Sequence, residues 1–178
     1  MFTRRPASLL AVFLLIACSP KPEEAAPQDT DPVIAQLKAS ADADTTNWQA
    51  QVRLSEELRR KERYEEAAQA AEKAFTLAPS PATEARLNMA KVFAASDRSA
   101  SAINLVKEVE RKKRAGEPAD EVKIAEVYAV LGDVAAVFRW LERAVEAKSP
   151  NLATLKTNPE FESVHDEPRW QELTSRLP

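Results

Sequence analysis

Two side chains occur once each in this chain, the thiol of Cys18 and the imidazole of His165. A thiolate is a nucleophile, a metal ligand or an acylation target, and a single one forms no internal disulfide. One Cys with one His supplies too few donors for a structural zinc site. His165 stands between Val164 and Asp166. As a general base it needs a nucleophile in reach, and no Gly-x-Ser-x-Gly elbow offers it a serine. It is expected to be a surface or capping histidine. The only glycines, Gly116 and Gly132, are isolated, so no phosphate-cradling loop exists. Carboxylates such as Glu65 and Glu66 are expected on a helix face among Lys and Arg neighbours. No enzyme, no cofactor and no metal is expected from these residues.

The setting of Cys18 says more than its type. Met1-Phe2-Thr3-Arg4-Arg5 is basic, and Leu9-Leu10-Ala11-Val12-Phe13-Leu14-Leu15-Ile16 is apolar. The run is shorter than the roughly 20 residues of a spanning helix. Basic head, short apolar body and small residues at its end describe a secretory signal. Its end, Leu15-Ile16-Ala17-Cys18, resembles the bacterial lipobox. The resemblance implies a signal peptide over 1–17, cleavage before Cys18, and lipidation of the Cys18 thiol and new amino group with palmitate-like chains. At about 0.8 kcal/mol per buried CH₂, several chains anchor a protein to a membrane. Ser19 in the following position leans towards the outer membrane, with the rest of the chain in the periplasm.

The formal charge is −3, or −5 once Arg4 and Arg5 are lost with the leader. A mildly acidic chain lacks the concentrated basic face that nucleic acid requires. From Ser19 to Pro32 four prolines and no apolar periodicity describe a tether, assigned to 18–32 with the lipidated Cys. Residues 33–47 read as a short helix or linker, with helix over Val33–Ala41 and a break over Asp42–Thr46.

These segments precede a repeating body. Of 12 prolines, none falls between Val33 and Ala78, between Ala82 and Glu117, or between Ala119 and Ser149. A proline inside a helix costs about 3 kcal/mol, so those stretches are helical. Within them Ser55, Ala90 and Ala125 follow one another at intervals of 35. Leu58, Phe93 and Tyr128 keep that spacing, as do Ala67, Ala102 and Val137. Ala71, Val106 and Leu141, and Ala74, Val109 and Ala144, complete five columns. Small residues mark where two helices cross closely, and the large column fills the gap between units. Such a period describes stacked helix pairs, here 48–81, 83–116 and 118–151.

Tyr64-Glu65-Glu66-Ala67-Ala68 through Ala78-Pro79 closely resembles the second helix of a tetratricopeptide repeat. Tyr128, Gly132-Asp133 and Trp140-Leu141-Glu142-Arg143-Ala144 fit the same pattern, whereas Ser96-Asp97-Arg98-Ser99 replaces the usual Gly-Asp turn. The resemblance implies an all-α, right-handed α-solenoid of about three such pairs. The segment 152–178 resembles the tail that often follows the last repeat, with Phe161, Val164, Trp170, Leu173 and Leu177 inward and Arg169, Glu172 and Arg176 in water. Trp48, Trp140 and Trp170 are expected to fill helix interfaces rather than to serve as ligand platforms.

In solenoids of this type the first helices line the concave side. There Val52, Leu87 and Val122 form an apolar column, beside Glu56, Lys91 and Glu126 and beside Arg59, Ala94 and Ala129. An apolar strip edged with alternating charge suits an extended or helical peptide. The alternative is that the chain covers the strip itself, most plausibly with Val33–Leu37. The expected function is a lipid-anchored periplasmic scaffold that binds a protein or peptide partner of the cell envelope. The alternative function is a cell-wall or envelope-glycan binding module using the basic helix end Arg111-Lys112-Lys113-Arg114.

Overall fold

The computed structural model describes residues 29–80 and 82–177. The leader, Cys18 and the tether up to residue 28 lie outside the described residues. Among the described residues there is helix and no strand. The elements run α1 (Pro32–Ala43), α2 (Trp48–Arg60), α3 (Tyr64–Leu77), α4 (Thr83–Ala95), α5 (Ser99–Arg114), α6 (Glu121–Val130) and α7 (Val134–Ala147). Two 3-10 segments, η1 (Pro150–Thr157) and η2 (Pro159–Val164), lead into α8 (Pro168–Ser175).

Local chemistry explains the boundaries. Pro32, Pro150, Pro159 and Pro168 each open an element, where a missing N–H costs nothing. Asp31 caps α1 by accepting from Val33 N at 3.0 Å, Asn47 caps α2 through Ala50 N at 3.0 Å, and Asp133 caps α7 through Ala136 N at 2.9 Å. Asp42 lies inside α1, and the break begins at Asp44, whose carboxylate accepts from Thr46 N. The break is therefore shorter than the sequence suggests.

The three turns within the pairs are the same object. Arg63 N donates to Leu58 O, Arg98 N to Phe93 O and Asp133 N to Tyr128 O, at 2.9, 3.2 and 3.0 Å. Just before each donor the backbone is left-handed, at Glu62 (φ 59°), Asp97 (φ 31°) and Gly132 (φ 75°). Only the third unit has glycine there, so the second unit's departure from Gly-Asp changes the side chain and not the turn. A side chain in that region costs roughly 1–2 kcal/mol, offset in part by glycine's greater freedom when unfolded. Glu62→Gly and Asp97→Gly are each expected to raise stability by about 0.5–1 kcal/mol in urea titrations, since both residues are exposed. Loss of stability in both would contradict the strain argument.

Helices pack as α2 on α3, α4 on α5 and α6 on α7, and the first helices α2, α4 and α6 lie side by side. The small-residue columns sit at the contacts: Ser55, Ala90, Ala125, Ala67, Ala102 and Val137 are all fully buried, as are Ala71, Ala74, Val106, Leu141 and Ala144. Leu58 and Tyr128 are buried too, but Phe93 is half-buried, with the Arg98 guanidinium 5.2 Å above its ring. Two apolar clusters meet across α4. Met89 and Val92 join Leu54, Leu58 and Ala67 in the first, while Leu87 and Ala90 join α5–α8 in the second.

The two ends are closed differently. α1 packs on α2, burying Ile34 and Ala41, while Val33 stays exposed. Asp29 pairs with Lys38 at 2.9 Å and Arg63 at 2.7 Å, which ties the start of α1 to the α2–α3 turn. At the other end Phe161, Val164, Trp170 and Leu173 are buried against the last pair, Leu177 is half-buried, and Arg169, Glu172 and Arg176 are exposed. Trp140 is buried and donates to Glu110 at 2.9 Å, whereas Trp48 is half-buried.

Candidate functional site

The face formed by α2, α4 and α6 carries the columns singled out above. Val52, Leu87 and Val122 are 7%, 3% and 1% exposed, so the apolar strip is not an open groove. Neighbouring first helices approach too closely to leave these side chains in water. What remains between α2, α4 and α6 is a cavity of about 10 Å³, bordered by Val52, Leu87, Asn88 and the charged column.

That column is one bonded network. Lys91, 7% exposed, reaches Glu126 at 2.9 Å and Glu56 at 3.3 Å, so equivalent positions of successive units bind one another directly. Glu160 of η2 stands 3.8 Å from Lys91 and pairs with Arg59. Asn158 donates to Glu126 at 2.8 Å. Burial by itself pulls the Lys91 ammonium down, but the carboxylates of Glu126, Glu56 and Glu160 outweigh it and hold the group above its ordinary value. Burial likewise raises the Glu56 carboxyl, and the Lys91 charge outweighs that, leaving it below its ordinary value.

The groove residues therefore come together, with a different consequence from the one expected. Glu56, Arg59, Lys91 and Glu126 converge on each other and on the C-terminal segment rather than on open space. The segment around η2 reaches the charged columns at Arg59, Lys91 and Glu126, while α1, which carries Val33–Leu37, packs on α2. Sequence reasoning missed Asn158 and Glu160. The signal was there in part, since Glu56 and Glu126 flank one lysine and Arg59 sits beside them without a partner in its own column.

An open recess of about 660 Å³ lies next to Leu87 where α4 and α6 begin. Its walls are Thr83 and Glu84 of α4, Lys113 at the end of α5, the Pro118–Asp120 connection, Glu121 and Lys123 of α6, and Ser149–Asn151. Lys123 bridges to Glu84 at 2.8 Å, and Lys113 bridges to Glu121 at 2.6 Å. Leu87, Pro118, Ala119 and Pro150 among the paired charges make it a recess for a side chain or short chain segment.

Other candidates resolve into structural roles. His165 stacks on Trp170 with centroids 4.5 Å apart, in the cap. In the basic helix end, Lys112 pairs with Glu117 at 3.6 Å, Lys113 with Glu121, and Arg114 with Glu110 at 3.9 Å, while Arg111 is exposed. Tyr128 donates to Glu110 at 2.7 Å, and burial together with that carboxylate pushes its phenol above the ordinary value. Among the described residues no helix is long and apolar enough to cross a membrane. No family model, curated protein or solved structure matches the chain.

Proposed function

We propose that this chain is a lipid-anchored scaffold of the bacterial cell envelope. Its body is a right-handed solenoid of three tetratricopeptide-like helix pairs, and it docks a protein or peptide partner. The observation that carries this reading is the repetition itself. Three pairs share one turn geometry, one set of buried small residues and one spacing, and stacked pairs of this kind present extended surfaces for binding. The lipobox-like Leu15-Ile16-Ala17-Cys18 supports the anchor, and Ser19 supports an outer-membrane address with the body in the periplasm.

The docking surface is the first-helix side, and the recess beside Leu87 is its accessible part. The wall-polymer reading is less favoured, because three of the four cations in the basic helix end already have carboxylate partners. The test is capture from detergent-solubilised envelope with the full chain as bait. Pro118→Glu with Pro150→Glu, at two exposed walls of the recess, is expected to lower capture of a specific partner about tenfold without loss of helicity. Equal capture by both forms would reject the recess as the docking surface. In the same cells Cys18→Ser is expected to release the protein from the membrane fraction or to leave an uncleaved precursor. Membrane association equal to wild type would reject the lipid anchor.

A further inference from the structure

We propose that the cations of α5 and α7 around Glu110 form a lipid-headgroup site, where the body rests against a bilayer containing anionic phospholipid. The site shares no wall with the recess beside Leu87. Its choice of occupant rests on the lipid-anchor reading above.

One carboxylate gathers the cations. Glu110 of α5 accepts from Tyr128 Oη of α6 at 2.7 Å and from Trp140 Nε1 of α7 at 2.9 Å. The Arg139 guanidinium lies 6.0 Å from the centre of the Tyr128 ring, and that of Arg143 lies 4.8 Å from the Trp140 ring. Arg114 stands 3.9 Å from the same Glu110 carboxylate. Lys107 shares with Arg139 a cavity of about 360 Å³, which Ile103, Tyr128 and Leu131 also line.

As local structure this arrangement is unfavourable. Lys107 and Arg111 are like charges four residues apart on one helix, as are Arg139 and Arg143, and such pairs repel. All four are exposed, and none pairs with a carboxylate among the described residues. Asp133 lines the cavity but is engaged with Ala136 N at 2.9 Å, and Glu108 is taken by Arg86 at 2.6 Å. With Arg114, five cations stand against Glu110, Asp133 and Glu146. That is an excess of two positive charges on a chain whose formal charge is −3. An anion lying between the two helices relieves the repulsion on both.

Two observations select a bilayer over an acidic protein segment. Apolar side chains line the cavity beside the cations, and Val134, next to Asp133, is 36% exposed. Apolar groups among Lys and Arg suit the zone where headgroups meet acyl chains. Further, eleven residue steps separate Cys18 from Asp29, at most about 40 Å of extended chain, so an anchored body stays within reach of headgroups. Such contacts are individually weak, and they suffice for a body that a tether already keeps nearby.

The test is arginine footprinting of the full chain with hydroxyphenylglyoxal, read by mass spectrometry. It is run with vesicles of phosphatidylcholine alone and of phosphatidylcholine with phosphatidylglycerol. Arg53, exposed on α2, is the internal control. Phosphatidylglycerol is expected to slow modification of Arg139 and Arg143 roughly threefold relative to Arg53, and added salt to restore it. Lys107→Gln with Arg139→Gln, at two exposed positions, is expected to remove the protection of Arg143 with helicity unchanged. If that pair lowers helicity, Lys107→Gln alone is read at Arg139 and Arg143 instead. Equal rates on the two vesicle types overturn the site. Protection by polyglutamate in solution with none by phosphatidylglycerol overturns it in favour of an acidic protein segment. Flotation with phosphatidylcholine vesicles is scored separately. A chain that fails to float there, yet is protected by phosphatidylglycerol, would fault the lipid anchor and leave the headgroup site standing.

Discussion

Lys91→Met is expected to cost about 3–5 kcal/mol at pH 7, the usual range for leaving buried charges without their counter-ion. The substitution strips the common partner from Glu56, Glu126 and Glu160 while keeping most of the apolar bulk in place. The pH dependence separates charge from packing. In the native chain the Glu56 carboxyl titrates below its ordinary 4.5. Its contribution is therefore complete above the unfolded-state value and is lost as pH falls through the lower folded value. In the variant the largest opposing charge is gone, so burial is expected to lift the folded carboxyl against the remaining pull of Lys123 and Arg60. The folded state then binds more protons, and acidification helps it relative to wild type. Urea titrations at pH 7 and pH 4 should show the deficit shrinking by roughly half or more at the lower pH. A deficit of equal size at both values would mean that lost packing, not stranded charge, is responsible.

Phe161→Ala carries the second large effect, expected at about 3–5 kcal/mol for emptying a fully buried aromatic site. Phe161 belongs to the same cluster as Val164 and Leu155, and its ring lies 5.9 Å from that of Trp170. Its loss should loosen the cap before the helix pairs. Folded protein should therefore show red-shifted tryptophan emission with far-UV helicity nearly unchanged. A stability loss under about 1 kcal/mol would show that the cap is held mainly by its polar contacts and that the apolar anchor has been overvalued.

The two variants act at opposite ends of one side chain's reach. Phe161 fixes the main chain from which Glu160 extends, and Lys91 belongs to the charged set on which it lands. A cavity at the first site loosens the η2 main chain itself, whereas a missing cation at the second removes only a charge 3.8 Å from Glu160 and leaves the Arg59 and Asn158 contacts in place. Only the Lys91 variant is expected to regain stability relative to wild type under acid.

Much of the fold was legible in the amino-acid order because helices report themselves locally. Proline-free stretches and the intervals between small residues are signals written along the chain, and each meets its counterpart in the structure. The fully buried Ser55, Ala90 and Ala125 show why: a crossing that admits only a small group leaves the same mark wherever it recurs. The left-handed turn at Asp97 was less legible, because the backbone there follows the helix geometry on either side rather than the preference of its own residue.

Accessibility was what the sequence left open. Val52, Leu87 and Val122 were read as one face from their spacing, yet spacing along a helix says which residues share a side and not what lies across from them. Whether that side meets water depends on how closely neighbouring first helices approach and on where a segment some seventy residues past Leu87 comes to rest. Lys91 and Glu160 meet only because Phe161 and Val164 find a pocket on the last pair, a long-range packing outcome with no local signature. Helix order and pairing belonged to the sequence, while the closing of the face belonged to the tertiary structure.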